Sequence, residues 1–404
     1  MNRVGILAHG FIDWGGGLDF LRLIIGSLAV SEKAPELHLL LPTRGPRLMA
    51  RRLLNQVKFT ARKLQGRPMQ RAVTPDAAIL AEFARSSGVA LHVHQIDSGS
   101  AAIQTAVRRL KLDAVLPASQ VFDLPATPWL GYIADLQHAH LPQFFAPEDI
   151  DVRNKAYQSM LEHAPSVIVN ARAVAHDIAR LFPEARARVV ALPFSAAPRP
   201  EWLEWNEVPL ERYGIESPYF IISNQFWQHK DHLTAFRALA LLGESSREVQ
   251  LVCTGEPHDF RNPDHFPMLM REAASLGIKD RLRVLGLIPK RDQIALMRAS
   301  LAVVQPTLFE GGPGGGAVFD AVALGIPAIV SDIPVNREID EPNVSFFHVS
   351  EPTSLAERMQ ARLRQGPAPA STASELLANG LRRRRACGDT LLAALAEAQG
   401  ARPH

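Results

Sequence analysis

A glycine-rich stretch between two carboxylates is the part of the sequence best suited to chemistry. In LFEGGPGGGAVFDAVALGIPAIVSDIPVNREI, Glu310 precedes the glycines and Asp320 follows them. Glycines that lead into a helix expose backbone N–H groups and let a ligand come close. Because a helix N-terminus carries a partial positive charge, a phosphate is the ligand it favours. The amides predicted to bind that phosphate belong to Gly314, Gly315 and Gly316.

The two carboxylates are predicted to bind other parts of the same ligand. Glu310 would be repelled by a phosphate but accepts hydrogen bonds well from sugar hydroxyl groups. Asp320 lies one turn into the expected helix and could hold a second pair of hydroxyls. A phosphate flanked by two polyols describes a nucleotide sugar. A glycine-rich turn without a ligand is the alternative, since glycine-rich loops alone are weak signals.

Short apolar runs alternate with helical patterns along most of the chain, which predicts parallel sheets covered by helices on both faces. The pattern lapses in the proline-containing stretch FSAAPRPEWLEWNEVPLERYGIESP and then resumes. We therefore predict an α/β protein with two doubly wound domains. The expected bounds are 1–196, 197–375 and a C-terminal helix, 376–404, that could pack back on the N-terminal domain. The expected strands are 4–9, 37–42, 90–96, 113–118, 130–135, 166–170, 188–193, 219–223, 249–255, 281–286, 301–306 and 327–331.

Composition excludes several classes of protein. The 404 residues are too many for one compact core, and a net charge of +3 does not suggest a dedicated nucleic-acid binder. Two distant cysteines exclude a disulfide framework. The N-terminus does not resemble a signal peptide, and no apolar run is long enough to cross a membrane, so we expect a cytoplasmic protein.

One segment has an uneven charge. The range 44–71 contains many Lys and Arg residues, interspersed with apolar ones, and no acidic residue. A solvated helix face is one interpretation. The other is a basic amphipathic segment that meets an anionic acceptor or anionic lipid, which would place the protein on the inner face of the plasma membrane.

The glycine-rich stretch resembles glycosyltransferase family 4, which comprises retaining enzymes of the GT-B fold. The family signature is Glu, seven residues, Glu, followed by A.a.G.PvI.sd.p...E, and DAVALGIPAIVSDIPVNREI matches its second half. Asp320 replaces the second Glu, and nine residues separate it from Glu310. The resemblance implies a GT-B fold, in which two doubly wound Rossmann-like domains face each other across a cleft. It also implies that Asp320 binds the ribose.

A second match lies in YFIISNQFWQHKDHLTAFRAL, where Lys230 corresponds to the lysine that binds the donor diphosphate. The family has an Arg about six residues earlier, and here that place falls at Asn224 or Gln225. The resemblance implies that all three residues contact the donor. Lys230 and Glu310 are thus predicted catalytic residues.

The N-terminal half contributes further predicted site residues. In LGYIADLQHAHLPQFF, His138 matches the active-site histidine of the family, and the resemblance implies that it contacts the transferred sugar. His140 is the second choice, and Asp135 is placed with it on the acceptor side. In HGFIDWGGG, Gly16 and Gly17 match the N-terminal glycine loop that approaches the donor diphosphate.

Two patterns could suggest a metal, and neither is interpreted that way. The DID at 149–151 follows a proline and opens a helical pattern, which favours helix capping. His92 and His94 share a strand face but have no evident third ligand. We therefore expect no metal and no cofactor beyond the nucleotide diphosphate sugar as co-substrate.

The predicted function is metal-independent glycosyl transfer with retention, as the resemblance implies, from a nucleotide diphosphate sugar to a hydroxyl acceptor. The expected acceptor is a saccharide or lipid-linked saccharide in cell-surface polysaccharide assembly, and no nucleic-acid partner is expected. Two alternatives stay open. One is a nucleotide-sugar 2-epimerase on the same fold, and the other is a non-catalytic sugar-nucleotide-binding protein.

Overall fold

The computed structural model describes residues 1–12, 15–42, 88–97, 99–205, 207–216, 218–243, 246–259, 261–366 and 371–400. The basic segment 44–71 lies outside these residues, so its contact with an anionic surface stays a prediction. The chain divides into two compact units. The first is Met1–Ser195 together with Leu381–His404, and the second is Ala196–Gly380.

The first unit is built on a sheet whose described strands number seven and are all parallel, in the order β3-β2-β1-β4-β5-β6-β7. The strands are β1 (Arg3–Leu7), β2 (Glu36–Pro42), β3 (Leu91–Ile96), β4 (Ala114–Ala118), β5 (Trp129–Tyr132), β6 (Ser166–Val169) and β7 (Arg188–Ala191). The helices between them are α1 (Gly15–Leu28), α2 (Ser100–Leu110), α3 (Gln137–His140), α4 (Pro147–His163) and α5 (Arg172–Leu181). The central strands are continuously apolar because helices cover both faces of the sheet.

The second unit has a sheet of six described strands, again all parallel, in the order β10-β9-β8-β11-β12-β13. The strands are β8 (Tyr219–Ser223), β9 (Gln250–Thr254), β10 (Leu282–Gly286), β11 (Val303–Gln305), β12 (Ala328–Ser331) and β13 (Val344–Phe347). Its helices are α6 (Pro200–Glu204), α7 (His232–Ala240), α8 (His265–Ser275), α9 (Lys290–Ala299), α10 (Gly315–Ala323) and α11 (Pro352–Gln365).

The last helix, α12 (Ala373–Gly400), starts in the second unit and ends in the first. Its buried residues Cys387, Leu391 and Leu395 belong to the apolar core that α1 forms with β1 and β2. At Gly388 the helix approaches α1 so closely that a Cβ atom would lie 2.2 Å from the carbonyl oxygen of Ser27. Within the described parts of the chain, no helix is both long and apolar enough to cross a membrane.

Both sheets reverse their strand order once. The reversal falls between β1 and β4 in the first unit and between β8 and β11 in the second. In doubly wound sheets, ligands bind beyond the carboxyl ends of the strands at this switch point. The loops that follow β8 and β11 are therefore where a ligand of the second unit is expected, and they contain Lys230 and Glu310.

Candidate functional site

Backbone hydrogen bonds join the loops after β8 and β11. The carbonyl of His229 accepts the N–H of Leu308 at 2.8 Å and lies 3.1 Å from the hydroxyl of Thr307. These contacts fix the two loops side by side at the end of the sheet. The side chains next to them in sequence, Lys230 and Glu310, are thereby brought within reach of each other.

Lys230 and Glu310 form an ion pair. The Nζ of Lys230 lies 2.5 Å from Oε1 of Glu310, and the two side chains are only 13% and 10% exposed. The amide of Gln305 donates to the same carboxylate oxygen at 2.7 Å. The side chain of Asn224 in turn donates to the side-chain amide oxygen, Oε1, of Gln305. One oxygen of Glu310 thus accepts two donors, and the predicted residues Asn224, Lys230 and Glu310 belong to one network.

The carboxylate of Glu310 lies against Gly315, the first residue of α10. A Cβ atom placed on Gly315 would be 3.0 Å from Oε2 and 3.2 Å from Oε1 of this carboxylate, and φ of Gly315 is +61°. Only glycine fits this position without strain or displacement of the acid. We predicted from the sequence that Glu310 binds hydroxyl groups of the ligand and not the phosphate at the start of this helix. In the structure it lies at that end, where the helix dipole stabilises its charge.

The glycine loop is hydrogen-bonded to a buried asparagine that we did not predict from the sequence. Oδ1 of Asn336 accepts the N–H of Gly314 at 2.8 Å, and its Nδ2 donates to the carbonyl of Ser331 at 2.9 Å. The amide of Gly314 therefore binds the protein itself. Of the three predicted phosphate donors, Gly315 and Gly316 remain. The N–H of Gly315 donates a long hydrogen bond, 3.4 Å, to the carbonyl of Gly312.

Asp320, the predicted ribose ligand, is paired with a lysine that the sequence interpretation also missed. Oδ2 of Asp320 accepts a charged hydrogen bond from Lys290, the first residue of α9. The ammonium of Lys290 lies 5.5 Å from the ring centre of the buried Trp202. Asp320 is 14% exposed and Lys290 is 43% exposed. A ribose that used Asp320 would have to share or replace this lysine.

The loop after β8 packs backbone to backbone on the loop after β9. A Cβ atom on Gly255, whose φ is +127°, would lie 2.2 Å from the carbonyl oxygen of Asn224 and 2.9 Å from the nitrogen of Gln225. Gln225 is only partly buried. This close approach fixes the backbone of Asn224 and Gln225, the residues at the place where family 4 has an arginine.

The loop after β9 supplies a cation beside His229. The guanidinium of Arg261 lies 5.4 Å from the ring centre of Trp227, and its Nη2 is 3.4 Å from Nδ1 of His229. Its Nε is 3.7 Å from the carboxylate of Asp259, which is buried. Burial, together with the nearby charges of Lys230 and Arg261, lowers the pKa of His229 to about 2. His229 is therefore neutral at physiological pH.

Residues 211–375 match the family model described as glycosyl transferases group 1. This part of the chain is therefore similar to group 1 glycosyl transferases. The match contains Lys230, Glu310, α10 and Asp320, so the network described above lies inside the matched residues. The comparison with curated proteins found no match.

Solved structures resemble the whole chain. HepE from Anabaena, in complex with UDP and glucose, is 13% identical with a TM-score of 0.54, over 99% of this chain and 98% of that one. Sucrose-phosphate synthase from Thermosynechococcus elongatus is 15% identical with a TM-score of 0.58, over 100% and 98%. WaaG, a glycosyltransferase involved in lipopolysaccharide biosynthesis, is 15% identical with a TM-score of 0.55, over 97% and 98%. The predicted two-domain α/β fold of GT-B type is confirmed.

In the first unit, His138 is buried, with 1% of its surface exposed. Its Nε2 is 2.9 Å from Oδ1 of Asn154, and its ring makes edge contacts with Tyr157 and Phe145 at 5.6 Å and 6.2 Å. Its Nδ1 has no hydrogen-bond partner among the described residues. The structure thus gives His138 a packed setting, and its contact with a sugar stays a prediction.

The other predicted residues of the first unit have different surroundings. His140 is 39% exposed, and its Nε2 lies 2.5 Å from Oδ2 of Asp177. The carboxylate of Asp135 accepts the N–H of Gln137 at 3.0 Å, at the start of α3. Gly16 and Gly17 lie in the first turn of α1, the former exposed and the latter buried. These positions lie in the segments that follow β1 and β5 in the chain.

The surroundings of the two patterns not interpreted as metal sites differ in detail from the expectation. His92 and His94 do have further side chains nearby: Nδ1 of His38 is 3.0 Å from Nε2 of His94, and Nε2 of His38 is 3.1 Å from Oε1 of Glu36. Asp149 does not cap its helix, because α4 begins at Pro147 and Asp149 lies in its first turn. No group of three or more His, Cys, Asp or Glu side chains in the described ranges could hold a metal ion.

Proposed function

We propose that this chain transfers a sugar from a nucleotide diphosphate sugar to a hydroxyl acceptor, with retention of the anomeric configuration. The observation that carries the proposal is the Lys230–Glu310 pair against the N-terminus of α10, inside the residues that match group 1 glycosyl transferases. The complex of the similar Anabaena HepE with UDP and glucose supports the donor class.

Charge placement accounts for the chemistry we propose. The departing nucleoside diphosphate gains negative charge as the sugar becomes oxocarbenium-like. Lys230 and the amides of Gly315 and Gly316 would stabilise that charge, as preorganised donors do in other active sites. These groups provide positive charge without a metal, so the proposed reaction is metal-independent. The leaving phosphate would take the proton of the acceptor hydroxyl.

The carboxylates would orient the two ends of the donor. Glu310 would accept hydrogen bonds from hydroxyls of the transferred sugar through Oε2, because its Oε1 is already bound by Lys230 and Gln305. Asp320 would bind the ribose by exchanging Lys290 for the ribose hydroxyls. In the first unit, we propose that His138 contacts the transferred sugar, Gly16 and Gly17 the diphosphate, and His140 and Asp135 the acceptor.

For the acceptor we propose a saccharide or lipid-linked saccharide used in cell-surface polysaccharide assembly. The similarity to WaaG, which is involved in lipopolysaccharide biosynthesis, supports this class. The basic composition of 44–71 supports peripheral contact with an anionic membrane on the cytoplasmic side.

The first experiment is a calorimetric panel of UDP, GDP, ADP and dTDP with their glucose, galactose, mannose and N-acetylglucosamine forms. We expect one nucleoside diphosphate to bind, and one of its sugars to bind more tightly. Incubation of that donor with saccharide acceptors, followed by assays for released diphosphate and the anomeric configuration of the product, tests transfer. Epimerised donor without an acceptor would indicate an epimerase. Binding without release would indicate a binder, and no binding at all would refute the proposed function.

A further inference from the structure

A chain of hydrogen-bonding side chains ends on Glu310. The side chain of Asn224, at the carboxyl end of β8, donates to the side-chain amide oxygen, Oε1, of Gln305, at the end of β11. The amide nitrogen of Gln305 donates to Oε1 of Glu310 at 2.7 Å. We propose that Gln305 and Asn224 are positioning residues that set the orientation of the Glu310 carboxylate toward the transferred sugar. This inference rests on the proposed function, in which Glu310 binds the sugar hydroxyls.

Gln305 is well placed to fix another side chain. It is fully buried, at 0% exposure, and both ends of its amide are bonded. An amide has one donor end and one acceptor end, so its orientation matters. By donating to Oε1 of Gln305, Asn224 selects the orientation in which the NH₂ group faces Glu310. In the opposite orientation, the amide oxygen would face the carboxylate and repel it.

We call the hydrogen-bonded chain from Asn224 through Gln305 to Glu310 the relay. It gives the two carboxylate oxygens of Glu310 different surroundings. Oε1 accepts both Gln305 and Lys230, at 2.7 Å and 2.5 Å. The carboxylate lies close to Gly315, where an added Cβ atom would be 3.0 Å from Oε2. The direction in which Oε2 points is therefore fixed. A sugar hydroxyl that donates to Oε2 meets a preorganised acceptor, whereas the diphosphate does not depend on this orientation.

The proposed roles predict that the affinity for the nucleotide sugar and the affinity for the nucleoside diphosphate respond differently to mutation. Loss of the relay should weaken binding of the nucleotide sugar while leaving binding of the sugar-free nucleoside diphosphate nearly unchanged. If Gln305 had a purely structural role, its mutation would weaken binding of both ligands equally, because the whole loop would shift. We call the dissociation constant of the nucleoside diphosphate divided by that of the nucleotide sugar the sugar increment. This ratio distinguishes the two cases.

The experiment measures the sugar increment by calorimetry with the tightest nucleotide sugar of the panel and its nucleoside diphosphate. We expect Gln305→Met to lower the increment about tenfold, as befits a hydrogen bond to a charged group. Asn224→Leu should lower it in the same way, and the double variant should lower it little further. Gln305→Glu should regain the increment as the pH falls, because a protonated carboxyl can donate to Glu310 as the amide does.

Gln250→Met is the matched control. Gln250 is also a buried glutamine with a bonded amide, but it begins β9, at the opposite end of the parallel sheet, where it accepts the N–H of Glu216 at 2.8 Å. It should not change the increment. Glu310→Gln serves as the reference for the sugar contact itself. Thermal unfolding verifies that each variant is folded, and Asn224→Leu, at a partly exposed position, stands in if Gln305→Met does not fold.

The outcomes separate the two claims. If Glu310→Gln lowers the increment and neither relay variant does, the inference is wrong and the proposed function stands. Equal weakening of both ligands by Gln305→Met also overturns the inference. If Glu310→Gln leaves the increment unchanged, or no nucleotide sugar binds, the role proposed for Glu310 is wrong and the inference falls with it.

Discussion

The ammonium of Lys230 lies 2.5 Å from a carboxylate oxygen of Glu310, although 80 residues separate them in sequence. The two residues follow β8 and β11, the strands on either side of the switch point of the second sheet. A cation and an acid are thereby held together against the N-terminus of α10. In the proposed function, a diphosphate that binds there would meet Lys230 and the helix, and the sugar attached to it would meet Glu310.

Lys230→Ala is expected to weaken binding of the nucleoside diphosphate by tenfold or more, since a charge-assisted contact contributes about 1.5–3 kcal/mol. It should also reduce sugar transfer by orders of magnitude, because the same cation stabilises the leaving group. Calorimetry and a diphosphate-release assay measure the two effects. Lys279→Ala, at an exposed position between α8 and β10, is the control. Native affinity in the Lys230 variant would contradict the assignment.

Gly315→Ala is expected to displace the Glu310 carboxylate, because the new Cβ would lie 3.0 Å from Oε2. Sugar transfer should fall at least tenfold, while stability falls by about 1–2 kcal/mol from the positive φ. Gly277→Ala isolates the second effect, since Gly277 has a φ of +67° and no atom within 4 Å of the added Cβ. The two variants should lose similar stability in urea, and only the first should lose activity. Equal activity in both would show that the contact with Glu310 is unimportant.

The contact of Asp320 with the ribose can be tested with a deoxy nucleotide. The native chain should bind a nucleoside diphosphate more tightly than its 2′-deoxy form, and Asp320→Ala should abolish most of that difference, since the lost hydrogen bond to a charged acceptor is worth about 1.5–3 kcal/mol. Asp332→Ala is the control, because that aspartate pairs with Arg337 and His348 instead. Undiminished discrimination in the Asp320 variant would exclude the ribose contact.

Acid lability is expected from two buried histidines of the second unit. Burial lowers the pKa of His229 to about 2 and that of His232 to about 3, from an ordinary value of 6.5. Below pH 6.5 the unfolded chain takes up protons that these folded histidines do not, so stability present at neutral pH is lost as the pH falls. Each group contributes about 1.4 kcal/mol per pH unit over this range.

His232→Phe should make the loss of stability between pH 6.5 and 4.5 shallower. His232 stacks on Phe226 at 4.1 Å, and neither of its ring nitrogens has a hydrogen-bond partner in the described part of the chain, so phenylalanine can replace it. Urea unfolding at several pH values gives the slope. His163→Phe, at an exposed position that ends α4, should leave the slope unchanged. An unaltered slope in the His232 variant would refute this source of acid lability.

The strands could be predicted from sequence because buried parallel strands are short apolar runs. Every predicted strand corresponds to a strand of the structure, within a few residues at each end. The strand β13 was missed, since it has only four residues, of which only Phe347 is buried. Strand order and the pairing of loops were not accessible in this way, because they depend on contacts between distant parts of the chain.

The candidate site shows the same division. Gly315, Glu310 and Lys230 were found from local patterns and family resemblance. Gln305 could have been suspected as a polar residue at the end of an apolar strand, but its bond to Asn224 joins residues 81 apart. The pairing of Lys290 with Asp320 and of Asn336 with Gly314 likewise joins different loops. Such partners follow from the fold and not from any local motif.

The most direct test of the central claim is a crystal structure of the chain with the nucleoside diphosphate that binds in the panel. We predict that its diphosphate lies within hydrogen-bond distance of Lys230 Nζ and of the amides of Gly315 and Gly316. A diphosphate bound away from the start of α10, with the Lys230–Glu310 pair unchanged, would contradict the account.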